Sequence, residues 1–353
     1  MKTIKTAKIA LLGFVAAAVS FASCSDWNEV ESIDVVQPNI EQQNPALYAQ
    51  YLEHLKAYKN SDHKLTYAWF DNSVKVPFNR AQHITEIPDS IDVVALMYPD
   101  QLVDRELEEM AKIRADKGTQ IIYSIDYDAI KLIYDTRAAE QPAPEAAEEG
   151  APSVEFPDFL TFLVDTIGHT LKLADQYQYD GLSIAYLGKS MLHLTEQERK
   201  EYIENQNVFI GMITAWAERH TNKLLVFEGH PQNLIDKTIL SNCQTILIPM
   251  TSIKNEYQFT YNMTLAQVEG VPTDRFGIKV AVPSLNKEDT KTGYLADGSR
   301  ALGAASQWIM SQHDGYIVKG LGIQNVNNDY YNPALVYKYT RNAITTLNPS
   351  IKN

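Results

Sequence analysis

The chain has 353 residues, with 31 Lys and Arg against 44 Asp and Glu and a formal net charge of −13. That balance excludes nucleic acid and an anionic membrane surface as electrostatic partners. Two cysteines cannot make a disulfide framework, so a fold of this length must rest on its hydrophobic core.

At the amino terminus, Lys2, Lys5 and Lys8 precede the apolar run Ile9 to Phe21, the pattern of an export signal over residues 1–23. The run is too short to span a bilayer as a mature helix. Phe21-Ala22-Ser23-Cys24 resembles a lipoprotein signal peptidase site, which makes Cys24 the expected lipidation residue and leaves Cys243 unpaired. Ser25-Asp26 resembles the acidic tether that sends lipoproteins to the cell surface in some Gram-negative bacteria. The expected location is the outer membrane, surface-exposed, with the membrane touched only through the lipid anchor. Residues 24–45 read as a polar tether rich in Asn and Gln, and residues 46–353 as the folded part.

A first helix is expected over Ala46–Asn60, with Leu47, Tyr51, Leu55 and Tyr58 at helical spacing. Strands are then expected at Leu65–Phe70, Ile91–Tyr98, Gln120–Ile125, Gly181–Tyr186, Leu224–Glu228, Thr245–Met250, Ile278–Val282 and Gly315–Gly322. Helical segments fall between them: Leu102–Lys117, Pro157–Gln178 with Pro157 at its first position, Glu196–His220, Pro231–Leu240, Leu265–Val268 and beyond, and Gly303–Gln312. Pro333–Leu347 closes the chain as a helix. Most strands are continuous apolar runs, as in a parallel sheet covered on both faces. Eight of them separated by helices favour a single (β/α)8 TIM barrel over an open sheet, and no glycine-rich phosphate loop follows the first. Residues 138–152, rich in Pro, Ala and Glu, read as a surface insertion after the third strand, either merely tolerated or a lid over the site.

The most informative stretch is Tyr177 to Gly188. Asp180-Gly181 leads into Leu182-Ser183-Ile184-Ala185-Tyr186-Leu187. It resembles the fourth strand of glycoside hydrolase family 18, written Asp-Gly-x-Asp-x-Asp-x-Glu in that family. Trp69-Phe70-Asp71-Asn72 resembles the family's first-strand ending. Ile87-Pro88-Asp89-Ser90-Ile91-Asp92-Val93-Val94 and Gly118-Thr119-Gln120-Ile121-Ile122 are similar to its approaches to strands two and three. The resemblance covers about residues 62 to 345 and lies with a lipoprotein branch related to endo-β-N-acetylglucosaminidases, enzymes that cut the chitobiose core of N-glycans.

In active members, the resemblance implies, the final Glu protonates the leaving oxygen. The Asp two residues earlier orients the substrate's N-acetyl group, which acts as nucleophile, an exception to the usual two-carboxylate scheme. Here the three acidic positions are Ser183, Ala185 and Leu187, which strand alternation places on one face. None of them can donate the proton or stabilise the intermediate. Ile248-Pro249-Met250-Thr251-Ser252 also lacks the tyrosine that active members carry after strand six.

The expected function is therefore a non-catalytic, surface glycan-binding lipoprotein. The resemblance implies a ligand containing N-acetylglucosamine, possibly an N-glycan. It also implies an outer-membrane glycan transporter and companion lipoproteins as partners. Candidate ligand contacts are Trp69, Tyr98, Asp126, Tyr127, Asp180, Tyr186, Glu228, Met250, Gln324 and Asn325, with Asn327 and Asn328 in the same polar cluster after strand eight. The 20 tyrosines and four tryptophans suit carbohydrate contact. One alternative is an active glycosidase using relocated carboxylates, Glu228 with Asp126 or Asp128; another is a protein-interaction scaffold. No cofactor is expected, and His193, His230 and His313 show no metal-ligand spacing.

Overall fold

The computed structural model describes residues 40–141 and 156–349. The expected signal over 1–23, the lipidation residue Cys24, the tether up to residue 39 and residues 142–152 of the insertion lie outside the described residues. The chain divides into two compact units, Met1–Gln50 and Tyr51–Asn353. In the first, the described residues hold a one-turn helix α1, Ile40–Gln43, and the start of α2, Pro45–Lys59. Asn44 caps α2: its Oδ1 accepts the Leu47 N–H at 3.0 Å.

The second unit is built on a closed barrel of eight parallel strands in sequence order. These are β1 Leu65–Phe70, β2 Val93–Leu96, β3 Gln120–Asp126, β4 Gly181–Tyr186, β5 Leu224–Gly229, β6 Thr245–Pro249, β7 Phe276–Ala281 and β8 Val318–Gln324, the last pairing back onto β1. Between and after them run α3 Asp104–Lys117, α4 Tyr127–Ala139, α5 Phe159–Gln176, α6 Glu196–Arg219, α7 Tyr257–Ala266, α8 Ala301–Ile309 and α9 Lys338–Leu347. The expected (β/α)8 architecture is thus the one that forms.

The apolar runs are explained by two cores. Tyr67, Trp69, Val93, Ala95, Ile122, Val226 and Leu247 fill the barrel interior. Their chain neighbours Ala68, Phe70, Val94, Leu96, Tyr123 and Ile125 pack outward into the layer shared with the helices. Alternate residues therefore serve opposite cores, and both faces of the strands are covered over most of their length.

Several elements depart from expectation. A helix, α4, follows β3 directly where none was expected; Asp126 caps it, its Oδ1 accepting the Ala129 N–H at 3.0 Å. The segment Pro231–Leu240 is not one helix but two short 3-10 turns, Pro231–Asn233 and Thr238–Asn242. Asp236 Oδ1 takes the Thr238 N–H in a local turn that competes with helix. The helix expected from Leu265 onward ends there instead: α7 stops at Ala266. Pro157 precedes the cap Asp158 of α5 rather than opening the helix. The closing helix begins at Lys338, after Tyr337 in the left-handed conformation at φ 55°.

Asp180 lies at the amino end of β4, away from the barrel mouth. Its Oδ2 accepts the Ile121 N–H at 2.7 Å and Arg114 Nε at 2.6 Å, tying β4 to β3 and α3. This corrects its place among the candidate ligand contacts. Gly181 is required by close approach: a Cβ there would stand 2.0 Å from the Leu224 carbonyl oxygen of β5. The Asp-Gly pair is thus a strand-pairing device.

Another tie at the same end is ionic. His63 Nε2 meets Asp92 Oδ1 at 3.0 Å, and Asp92 Oδ2 accepts the Thr66 N–H at 2.7 Å. The hydrogen bond to Asp92 holds the His63 pKa above its ordinary 6.5, against the opposing pull of burial. Stability from this pair is full below the unfolded value and is lost as pH rises through the folded one. Nearby Lys59, which burial lowers to about 8, contributes with the opposite sign and only above that pH. Urea midpoints should fall between about pH 6 and about pH 8, and the fall should shrink in His63→Phe, which keeps a ring against Tyr58. An unchanged slope in that variant would remove His63 from the account.

Candidate functional site

At the carboxyl ends of the strands opens a cleft of 720 Å³. Strand pairing sets its geometry. Asp126 of β3 pairs with Ala185 of β4, and Ala185 pairs with Glu228 of β5, so two carboxylates flank the alanine from the adjacent strands. All three are interior positions and all line the cleft.

The floor is a side-chain stack. Trp69 of β1 donates its indole N–H to Ser124 Oγ at 3.2 Å. Lys279 of β7 places its ammonium 3.7 Å from the centroid of the Trp69 ring and donates to Glu228 Oε1 in a close ion pair. Lys279 is only 5% exposed. Burial pulls its pKa down, while Glu228 and Asp126 pull it back up. Burial pushes the Asp126 pKa up; the Ala129 N–H opposes this, and the nearby Glu228 and Asp128 charges add to it. Asp128 Oδ2 accepts the Leu187 N–H at 2.9 Å, fixing the chain just past β4.

The three positions of the expected acids are now placed. Ser183 is fully buried inside the barrel, and its Oγ has no hydrogen-bond partner among the described residues. Ala185 faces the cleft, and Leu187, 40% exposed, forms part of its wall. Gly229, at the end of β5, has φ +155°, and a Cβ there would stand 1.9 Å from the Tyr186 carbonyl oxygen. No side chain fits between β4 and β5 at that point.

Of the candidate ligand contacts, Trp69, Asp126, Glu228, Gln324 and Asn325 line the cleft, and Tyr186 borders it at the end of β4. Tyr98 stands 46% exposed on the loop after β2, where Asn72 holds its backbone N–H and carbonyl. For Tyr186 and Tyr127 the direction of the ring needs correcting. Tyr186 and Tyr127 point outward into the helix layer, their rings 5.1 Å apart and packed against Phe209. The Tyr186 hydroxyl is spent on Gln206 Nε2 at 2.7 Å. Met250 is likewise buried in that outer core, one residue out of phase with Leu247 and Pro249. Asn327 is also no free polar group: its amide bonds the Asp71 N–H and carbonyl and the Ala81 carbonyl. Asn328 donates to the Pro283 carbonyl.

Lys279 was missed. Its signal was in the sequence: one charge within Gly277-Ile278-Lys279-Val280-Ala281, a strand apolar on both sides of it. A lysine there must be partnered inside the fold.

The chain matches the profile of Glycoside hydrolase family 18, BT1044-like, over residues 28–346. Similar solved structures include the selenomethionine form of a Glu-to-Gln variant of BT1044, with 15% identity and a TM-score of 0.57 over 88% of this chain and 95% of that one. The apo endo-β-N-acetylglucosaminidase from Cordyceps militaris matches with 15% identity and a TM-score of 0.54, over 85% of this chain and 96% of that one. A double mutant of the same enzyme, in complex with fucosyl-N-acetylglucosamine-Asn, matches with 14% identity and a TM-score of 0.54, over 84% and 95% of the two chains. At such identities the likeness is one of fold. No curated protein sequence matches the chain.

Proposed function

The chain belongs to glycoside hydrolase family 18, and on that premise we propose that its cleft binds an N-acetylglucosamine-containing glycan, in the manner of an N-glycan core, without hydrolysing it. The observation that carries the reading is the chemistry of β4 and the residue after it. Where the family's pattern has acids, this chain has Ser183, Ala185 and Leu187. General acid–base help is worth on the order of 10²–10⁴ in rate, and none of these three side chains supplies it. What remains at the mouth suits binding: amides at Gln324 and Asn325 and hydroxyls at Ser124, Thr251 and Ser252, over a floor closed by Trp69 and Lys279. The reading includes the lipid anchor at Cys24, a surface location and partnership with a glycan transporter and its companion lipoproteins; the Phe21-Ala22-Ser23-Cys24 sequence supports the anchor.

A second reading, an active glycosidase, is favoured by family membership itself and by Asp126 and Glu228 flanking Ala185. Asp126, its pKa raised, would be the acid. Against it, Glu228 is committed to Lys279, which leaves the base paired with a buried cation. Incubation of the full chain with a chitobiose-core glycopeptide, followed by calorimetry and mass spectrometry, separates these readings. Binding without glycan release is expected. Released glycan that disappears in Asp126→Asn would establish the enzyme instead, and no binding at all would leave a protein-interaction scaffold.

A further inference from the structure

We propose that the cleft selects its ligand by charge, admitting neutral sugar units and rejecting units that carry a sulfate or carboxylate. This rests on the glycan-binding reading and narrows the class of glycan.

The charged side chains lining the cleft are Asp126, Asp128, Glu228 and Lys279. Lys279 offers nothing to a ligand anion. Its ammonium lies against the Trp69 ring and is paired with Glu228, and it is almost wholly buried. Once that pair is set against itself, Asp126 and Asp128 leave the cleft net negative, with Asp126 offset only in part by its attraction to Lys279. Backbone N–H groups hold both carboxylates: Ala129 and Asp128 for Asp126, and Leu187 for Asp128. Among the described residues, no arginine and no second lysine lines the cleft. Burial holds the Asp126 pKa up, and the nearby Glu228 and Asp128 charges add to it, so the cleft already disfavours negative charge at this position.

The uncharged polar side chains that line the cleft, among them Ser124, Thr251, Ser252, Thr292, Gln324 and Asn325, carry no charge to offer. They hydrogen-bond hydroxyls and acetamides equally well as donors or acceptors, but they supply no cation to replace the hydration an anion would lose. A concave site with low-dielectric walls focuses the field of its own charges. An entering sulfate or carboxylate would thus meet like charge at close range while being desolvated, and a neutral sugar would meet neither penalty.

The test compares two ligands of one backbone: tetra-N-acetylchitotetraose and its 6-O-sulfated form. Both are titrated calorimetrically into the full chain. At about 20 mM salt the sulfated form should bind at least about tenfold more weakly, and at about 0.5 M salt the gap should close to within about threefold as screening shortens the field. Equal affinities, or tighter binding of the sulfated form, would overturn the inference and leave the glycan reading standing. A gap that ignores salt would overturn it too, because rejection would then be steric. Failure of both ligands to bind would overturn the glycan reading and this inference together.

Discussion

Glu228→Gln is expected to destabilise the protein by about 3 kcal/mol, and adding Lys279→Met is expected to restore most of the loss. The reason is the asymmetry of buried ion pairs. Two charges taken from water together are roughly compensated, whereas one left alone bears its full desolvation cost. Lys279 and Glu228 have side chains only 6% and 14% exposed, so water cannot replace a lost partner. Asp126 is near enough to soften the loss, which places the estimate at the low end of the range for broken buried pairs. Methionine keeps the volume over Trp69 and brings a sulfur that packs well against an aromatic ring. Urea unfolding of the wild type, both single variants and the double variant gives the coupling directly. Additive losses would mean that the pair is not the device described. A gain in stability on Glu228→Gln would be more damaging, because a carboxylate held for chemistry is typically strained and its removal stabilises. The cycle therefore bears on function as well as on folding.

The pair also shows where a sequence reading stops. The eight strands were legible because each is buried on both faces and so appears as an apolar run. The barrel follows from that pattern and the helices between. Side-chain direction was legible in part. Period-two alternation places Ser183 and Ala185 together, as the structure does, and sets Tyr186 and Met250 on the opposite face. Those residues lie near strand ends, where nearness to the mouth does not bring exposure to it. Alternation turns both outward, and one step of register reverses a side chain's face completely. Tyr127 was misplaced for another reason: Asp126 caps a helix, so the residue after it starts α4 and packs against Phe209. The cap signal, Asp followed by Ala129-Ile130-Lys131-Leu132, was available. Lys279 was legible only as an anomaly, since its partner sits 51 residues away and no local pattern links them.

Restoring the family's acids by Ser183→Asp, Ala185→Asp and Leu187→Glu together is expected to cost about 2–4 kcal/mol and to return at most trace glycan release. Ser183 carries most of the cost. It is fully buried and its hydroxyl already lacks a partner among the described residues, so a carboxylate there would be desolvated with no cation beside it in the present packing. Ala185→Asp would set a third acid between Asp126 and Glu228, on strands about 5 Å apart, and like charges so placed cannot all stay ionised. Lys279 could then pair with the new acid and abandon Glu228, which rearranges the floor instead of rebuilding a catalytic pair. Leu187→Glu alone should be nearly neutral for stability, because that position is 40% exposed and its backbone stays tied to Asp128. A proton donor would return there without its stabilising partner, and the tyrosine of active members has no counterpart: Met250 faces the outer core. Thermal unfolding of the single and triple variants, with mass spectrometry of a chitobiose-core glycopeptide, measures both halves. Sustained turnover by the triple variant at wild-type stability would show that the floor accepts the acids without rearrangement, and the argument from Lys279 would fail. Loss of stability centred on Ser183→Asp, with no turnover, would show that the interior has repacked around the missing charges, so that the protein now depends on their absence.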